Sequence, residues 1–315
     1  MVPHKALLSS VEDARYMFVM VNDHLKKSGR QPAFNITLVG LTKEVNLERG
    51  TYAIKTDAVI QNVSRPDLII VPSLSGDMIS PLALNMNFNP WLIEQYKKGS
   101  EIASLCVGSF LLAATGLLKD KECSTHWLYA NEFRAYFPGA KLVDDKIITD
   151  QNGLYTSGGS TSYWNLLLHL VEKYTDKATA IWASKYFALD ISRNSQSPFA
   201  IFNGQKEHAD KVILQVQEYI EKNYAGKLTV DELAGEFNIG RRTLERRFRK
   251  ATTNAVTEYI QRVKIEAAKK RLETGRPTVN EVMYEVGYLD TIAFRKLFKK
   301  LTGMSPVEYR NKYCV

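Results

Sequence analysis

The chain has 315 residues, 45% of them hydrophobic and 24% charged, with 42 basic against 34 acidic side chains for a formal net charge of +8. That composition excludes collagen-like, coiled-coil and wholly disordered chains, and no run approaches the roughly 18 uncharged apolar residues of a membrane-spanning helix. At about 100–200 residues per domain, two domains are the natural expectation.

The opening stretch MVPHKALLSSVEDARY has no basic segment followed by an apolar core, so no secretory signal is expected. Three cysteines without a CxxC pair point to reduced thiols and a cytoplasmic chain. A helical pattern covers 13–27. Strand-like apolar runs follow at 33–41, 57–60, 67–73, 102–107, 141–150 and 154–157, with helical patterns at 90–99, 108–118, 161–174 and 177–189 between and after them. Alternating strands and helices predict a parallel sheet covered on both faces, with ligands bound beyond the carboxyl ends of the strands.

Within that region IASLCVGSFLLAATGLL (102–118) reads as a strand, a sharp turn at Cys106 and a helix. This is a nucleophile-elbow arrangement, and the helix dipole there favours a thiolate. His126 follows in STHW (124–127), and a cysteine with a histidine invites a hydrolase reading; a small buried cysteine and a structural histidine are the plainer alternative. His4, His24, His169 and His208 have no metal-ligand spacing, so no metal is expected. With neither a Walker loop nor a GxGxxG run, no nucleotide cofactor is expected either.

DISRNSQSPFAIFNGQ, rich in Ser, Asn, Pro and Gly, reads as a linker over 190–206, between a domain of residues 1–189 and one of 207–315. The charge divides with it. Residues 205–315 hold 22 basic and 15 acidic side chains, net +7, while 1–204 are near neutral. A compact basic module suggests a polyanion partner.

That last third repeats itself at an offset of 49–50 residues. Thr229/Glu232 and Thr278/Glu281 are capping boxes. Each opens a short helix, 230–237 and 279–285, followed by a tight turn at Asn238–Gly240 and at Gly287–Leu289. A second helix then carries an apolar stripe, Leu244/Phe248 or Phe294/Phe298, with Arg and Lys on the other face. Short helix, tight turn and basic amphipathic helix make a helix-turn-helix unit, here 229–251 and 278–300. The second helix suits the major groove. Between the units 256–274 reads as one helix, ended by Gly275 and Pro277. Its span of about 28 Å at 1.5 Å per residue approaches one DNA turn of ~34 Å, so both basic helices could enter successive major grooves.

The segment EVGYLDTIAFRKLFKKLTGMSPVEYR (285–310) resembles the signature of AraC/XylS-type transcription regulators, over about 208–312. The resemblance implies binding to double-stranded promoter DNA, with base contacts from Arg241, Arg242, Thr243, Glu245 and Arg246 in the first unit. In the second unit they would come from Thr291, Ile292, Arg295 and Lys296. Lys299 and Lys300 are expected on phosphates. Asp290 stands where a small hydroxyl residue is usual, and an aspartate caps equally well. Activation through RNA polymerase is the family expectation.

Residues 1–190 resemble the PfpI-like branch of the class I glutamine amidotransferase-like superfamily. The resemblance rests on DLIIVP (67–72), SLCVGSFLLAATGLL (104–118), THW (125–127) and LYTSGGSTSYWNLLLHLVE (154–172). It implies an α/β flavodoxin-like sandwich that often forms dimers, here joined to an all-α double helix-turn-helix domain. The superfamily's enzymes place a carboxylate near the N-terminus, but the matching position is Ser9, with Glu12 and Asp13 slightly later. Pro72-Ser73-Leu74-Ser75 replaces the usual glycine pair. Both departures favour a pocket for a small polar effector over turnover, lined by Cys106, Val107, His126, Trp127, Ser73, Ser75 and Ser160. The competing expectation is a Cys-dependent hydrolase or glyoxalase-like enzyme whose helical tail docks partners.

Overall fold

Residues 1–191, 195–206 and 208–314 are described in a computed structural model, and the chain divides into two units, Met1–Gln196 and Ser197–Val315. In the first unit α1 (Leu8–Lys27) buries Ala14, Met17, Phe18, Val21 and Leu25, a helical stripe that faces the core. Strand β1 is only Val39–Gly40. The hairpin β2 (Glu44–Leu47) and β3 (Tyr52–Lys55) follows, then β4 (Ala58–Val59), which pairs parallel to β1, and β5 (Leu68–Val71). Helices α2 (Ile79–Asn85) and α3 (Phe88–Lys97) come next, the latter holding Pro90 in its first turn, where a missing N–H costs nothing. Strand β6 (Glu101–Ser104) leads through a tight turn at Cys106–Gly108 into α4 (Ser109–Ala114). Then come β7 (Glu122–Cys123), α5 (Ala130–Tyr136), β8 (Lys141–Leu142), β9 (Ile148–Gln151), β10 (Leu154–Ser157), α6 (Tyr163–Tyr174) and α7 (Lys177–Tyr186).

The central sheet has the order β5-β6-β10-β9, the first three strands parallel and β9 antiparallel at the edge. All four residues of β10 are buried, so both faces of the sheet are covered, as the continuous apolar pattern of a parallel sheet requires. This is the expected α/β sandwich.

Two expected strands come out shorter. The run 141–150 divides: β8 pairs with β7, residues 143–147 turn, and β9 returns on β10. Asn152 and Gly153, both at positive φ (53° and 75°), make that hairpin's two-residue turn. Of 33–41, only the last residues form a strand. The Asn22 side chain takes the backbone N–H groups of Ala33 and Phe34 and donates to the Phe34 carbonyl, while residues 35–37 pair with no strand among the described residues.

The second unit is helical. It contains α8 (Lys211–Asn223), α9 (Val230–Glu236), α10 (Arg241–Thr252), α11 (Val256–Glu273), α12 (Val279–Glu285), α13 (Thr291–Thr302) and α14 (Pro306–Tyr313). It has two cores, and α11 serves both. Tyr259, Ile260 and Val263 pack with α8, α9 and α10, whereas Ile265, Ala268 and Leu272 pack with α12, α13 and α14.

Of the stretch read as a linker, residues 192–194 lie outside the described residues. Gln196 is buried in the first unit. Further on, Phe202 packs edge-on against Tyr259 at 5.1 Å, and the buried Lys269–Glu266 pair holds Ala200 and Phe202 by their backbones.

Candidate functional site

Each half of the second unit builds the same motif by the same local means. Thr229 accepts from the Glu232 N–H while Glu232 binds back to the Thr229 N–H, and Thr278 and Glu281 repeat this. Each box satisfies two backbone groups that a helix start otherwise leaves open. The turns then need a left-handed residue, supplied by Asn238 (φ 48°) and by Gly287 (φ 75°). A Cβ on Gly287 would stand 2.1 Å from the Ala225 carbonyl oxygen, so glycine is required there by space as well as by φ. Lys264, almost fully buried in α11, donates to the carbonyls of Gly226 and Gly287 and ties that turn to the α8–α9 loop. Burial pulls its pKa below the usual lysine range. This lysine was not singled out from the sequence, where it reads as one more surface charge on α11.

The helices after the turns, α10 and α13, present matching surfaces. Leu244 and Phe248, or Phe294 and Phe298, are fully buried. Arg241, Arg242, Thr243, Glu245, Arg246, Arg249 and Lys250 on α10 are exposed, as are Ile292, Arg295, Lys296, Lys299 and Lys300 on α13, with Thr291 half-buried. Asp290 caps α13, accepting from the N–H groups of Ile292 and Ala293 at 2.8 and 3.1 Å. The cations are not equivalent. Arg247 makes a bidentate pair with Asp210 at 2.9 and 2.5 Å and so anchors α8 to α10. Arg241 is shared between Asp231 (2.8 Å) and Glu245 (3.4 Å). Arg242, Arg246, Arg249, Arg295, Lys296 and Lys300 make no ion pair among the described residues, which leaves their charge to solvent or to an anionic partner.

In the first unit the chain passes from β6 into α4 through Cys106 at φ 54°, a strained turn that lifts the thiol beyond the strand end. Gly108 permits it, since a Cβ there would lie 2.4 Å from the Pro72 carbonyl oxygen. The Cys106 N–H donates to Ser157 Oγ at 3.0 Å. The thiol is only 6% exposed and meets the Ser73 hydroxyl and the N–H groups of Ser160 and Val107. Here the structure corrects the expected thiolate. Burial raises the Cys106 pKa by more than these three donors lower it, so the sulfur is a neutral thiol near pH 7.

His126 joins this group through Gly159, where an added Cβ would lie 2.3 Å from the imidazole. Its Nδ1 accepts from the Leu128 N–H at 3.1 Å, and burial lowers its pKa. The ring is therefore neutral with its proton on Nε2, a donor rather than a base through Nδ1. Trp127 is half-buried, its ring centroid 5.4 Å from that of His126. Ser75 stands apart, with its N–H and hydroxyl both directed at the Lys5 carbonyl.

Three residues not singled out as lining hold this arrangement. Asp13, one helical turn beyond Ser9, accepts from Tyr163 Oη at 2.5 Å, and desolvation raises its pKa. The acid thus meets a tyrosine and not the thiol. Gln196, buried, accepts from the Gly159 N–H (3.0 Å) and donates to the carbonyls of Thr125 (2.9 Å) and Asp144 (2.8 Å), which presses the His126 segment onto Gly159. Its place in a polar, turn-rich stretch conceals this role in the sequence. A cavity of about 540 Å³ also occurs in this unit, but it runs along α1 and the segments 33–39 and 67–72, not over the thiol.

The geometry agrees with comparisons to known proteins. A family model described as "DJ-1/PfpI family" matches residues 8–173, and one described as "Helix-turn-helix domain" matches residues 233–312. The chain is 26% identical over 261 residues to the HTH-type transcriptional regulator GbdR of Pseudomonas aeruginosa, covering 82% of this chain and 69% of that protein. It is 23% identical over 260 residues to the HTH-type transcriptional regulator CdhR of the same species, covering 82% and 76%. Among solved structures, a chain from Vibrio parahaemolyticus assigned as a transcriptional regulator superposes with a TM-score of 0.52 at 22% identity, covering 59% of this chain and 95% of that one. That last likeness is one of fold.

Proposed function

The chain belongs to the DJ-1/PfpI family and ends in a helix-turn-helix domain of the AraC type, and from that premise we propose that it is a sequence-specific transcription regulator controlled by a small polar metabolite bound above Cys106. The observation that carries the reading is the matched exposure of α10 and α13, two basic helices on separate cores joined by the single helix α11. In this reading Arg241, Arg242, Thr243, Glu245 and Arg246 face one major groove, and Thr291, Ile292, Arg295 and Lys296 face the next. Lys299 and Lys300 neutralise phosphates. Arg242 and Arg246, without an acidic partner among the described residues, are better placed than Arg241 for bidentate contacts to guanine. The names of the two relatives support regulation as the role. A cytoplasmic homodimer that activates through RNA polymerase completes the proposal.

The effector site uses hydrogen-bond donors. The N–H groups of Val107 and Ser160, the Ser73 hydroxyl and His126 Nε2–H suit a carboxylate, Trp127 suits an apolar or cationic group, and Ser75 borders the loop. The sulfur's partners are hydroxyl and amide groups, and the Asp13 carboxyl is engaged by Tyr163. This supports a binding pocket over a hydrolase or glyoxalase-like enzyme. Gln196, which holds Gly159 and Thr125, directly precedes Ser197, where the helical unit begins. A ligand that shifts this loop therefore acts on the chain at the entry to the DNA-binding unit. A tenfold change in DNA affinity requires about 1.4 kcal/mol of such coupling.

The test is Arg295→Ala, measured on a mapped binding site and on random DNA of equal length. A base-reading arginine loses about 1–3 kcal/mol on its own site alone. An equal loss on both DNAs reduces Arg295 to a phosphate contact, and no preference for any site rejects sequence-specific regulation.

A further inference from the structure

The two helix-turn-helix motifs are copies of one plan, and they differ at the head of the second helix. Helices α10 and α13 are each twelve residues long. They align at an offset of 50, Leu244 with Phe294, Phe248 with Phe298, and the left-handed caps Thr253 (φ 59°) with Gly303 (φ 74°). The helices before them align at 49, Thr229 with Thr278. The second turn is therefore one residue longer, 286–290 against 237–240. Backbone bonds locate the extra residue. The Ile239 N–H donates to the Ala234 carbonyl and the Tyr288 N–H to that of Met283, each at 3.0 Å, so Ile239 and Tyr288 are counterparts. Both pack on the core of their own motif. Gly240 and Asp290 are the next counterparts, each the N-cap of its helix. Leu289, between Tyr288 and Asp290, is the insertion.

Leu289 is 85% exposed and Ile292, in the first turn of α13, is 67% exposed. A single exposed aliphatic is ordinary, but these two stand together at the head of a cationic helix. Ile292 shares a stripe with Arg295, Lys296 and Lys299, at i, i+3, i+4 and i+7, on the side away from the buried Phe294 and Phe298. Its counterpart in α10 is the exposed Arg242. A branched aliphatic thus replaces a guanidinium in the N-terminal turn, the part of a recognition helix that meets base edges. In the major groove thymine offers an apolar group, its 5-methyl, whereas guanine offers the O6 and N7 acceptors that suit arginine.

We infer that Ile292 and Leu289 read thymine methyl groups, so that the second motif selects thymine under the start of α13 where the first motif, through Arg242, selects guanine; this rests on the proposal above that α13 enters the major groove. The cations of the same stripe supply attraction to phosphates without sequence preference, and the two aliphatic side chains supply the discrimination. The two half-sites are then chemically unlike. One chain binds its pair of half-sites in a single orientation, with the guanine-bearing half under α10 and the thymine-bearing half under α13.

The test deletes the methyl from the DNA. The full chain is assayed on its preferred duplex, selected from random sequence, with each thymine replaced in turn by deoxyuridine, which keeps the adenine pair and removes only the 5-methyl. At the thymine under Ile292 affinity should fall about fourfold, the worth of one buried methyl-sized group. Ile292→Ala should lose a similar factor on the thymine duplex and no longer distinguish thymine from deoxyuridine there. Its Tm should match the wild type, because the side chain is exposed. Leu289→Ala should do the same at the adjoining pair, and Ile292→Arg should move the preference under Ile292 to guanine. Equal binding of thymine and deoxyuridine at every position would overturn the inference. So would an Ile292→Ala loss that is the same with and without each methyl, which would seat the side chain on the sugar–phosphate backbone or on another protein. A chain with no preferred duplex would reject sequence-specific binding itself, and this inference with it.

Discussion

Replacing Gln196 by alanine tests whether the pocket loop is held from the end of the first unit. The side chain is 1% exposed and bridges the Gly159 N–H to the Thr125 and Asp144 carbonyls, with a longer contact to the Lys146 carbonyl at 3.5 Å. Asp144 is partly exposed, so water can replace the amide there. Gly159 and Thr125 are buried, and each group left unpaired costs about 1–3 kcal/mol. Allowing for the void left by the side chain, the first unit should lose about 3–5 kcal/mol. For a unit of this size that is roughly 6–20 °C in Tm, at about 2–4 °C per kcal/mol. Calorimetry on the full chain, with near-ultraviolet dichroism to follow the tryptophans, all of which lie in the first unit, checks it. The helical unit's own transition should not move. Gln196→Glu should fall between, since a carboxylate still accepts from Gly159 but cannot donate to Thr125 and Asp144. A loss within the ±0.5 kcal/mol of an ordinary surface substitution would refute both the network and the coupling route built on it.

Two further outcomes follow from individual sites. Gly287→Ala places a Cβ 2.1 Å from the Ala225 carbonyl at a φ of 75°, and should cost about 2–4 kcal/mol through strain and overpacking. DNA binding should weaken with it, so a variant with wild-type Tm and affinity would contradict the described turn. With iodoacetamide, Cys314, which is exposed, should react first and Cys106 far more slowly. Because burial raises the Cys106 pKa, its rate should climb only as pH passes above the ordinary thiol range. Faster labelling of Cys106 at pH 7, followed by peptide mass spectrometry, would restore the thiolate.

The helical unit was legible to near-residue precision because its signals are local. A capping box, a left-handed turn residue and an apolar pair at i and i+4 each act within one or two helical turns, so Thr229, Gly287 and Phe294 could be placed without knowing their neighbours. The elbow at Cys106 was legible for the same reason. The charge state of Cys106 was not, because it depends on how completely distant segments exclude water. The strand at 33–41 failed on similar grounds. Its residues favour extended backbone, but a strand also needs an edge to pair with, and whether Asn35, Ile36 and Thr37 find one is decided by what stands beside them.

The order of residues alone was enough to establish a duplicated groove-fitting motif, its basic faces and an α/β partner carrying a thiol at a sharp turn, since each rests on periodicities and caps that span a few residues. Packing decided the rest. It showed which arginines are already engaged, as Arg247 is with Asp210, and that Gln196 holds the Gly159 and Thr125 backbones. Those outcomes depend on atoms brought together from 37 to more than 70 positions apart, and side-chain identity by itself carries no record of that proximity.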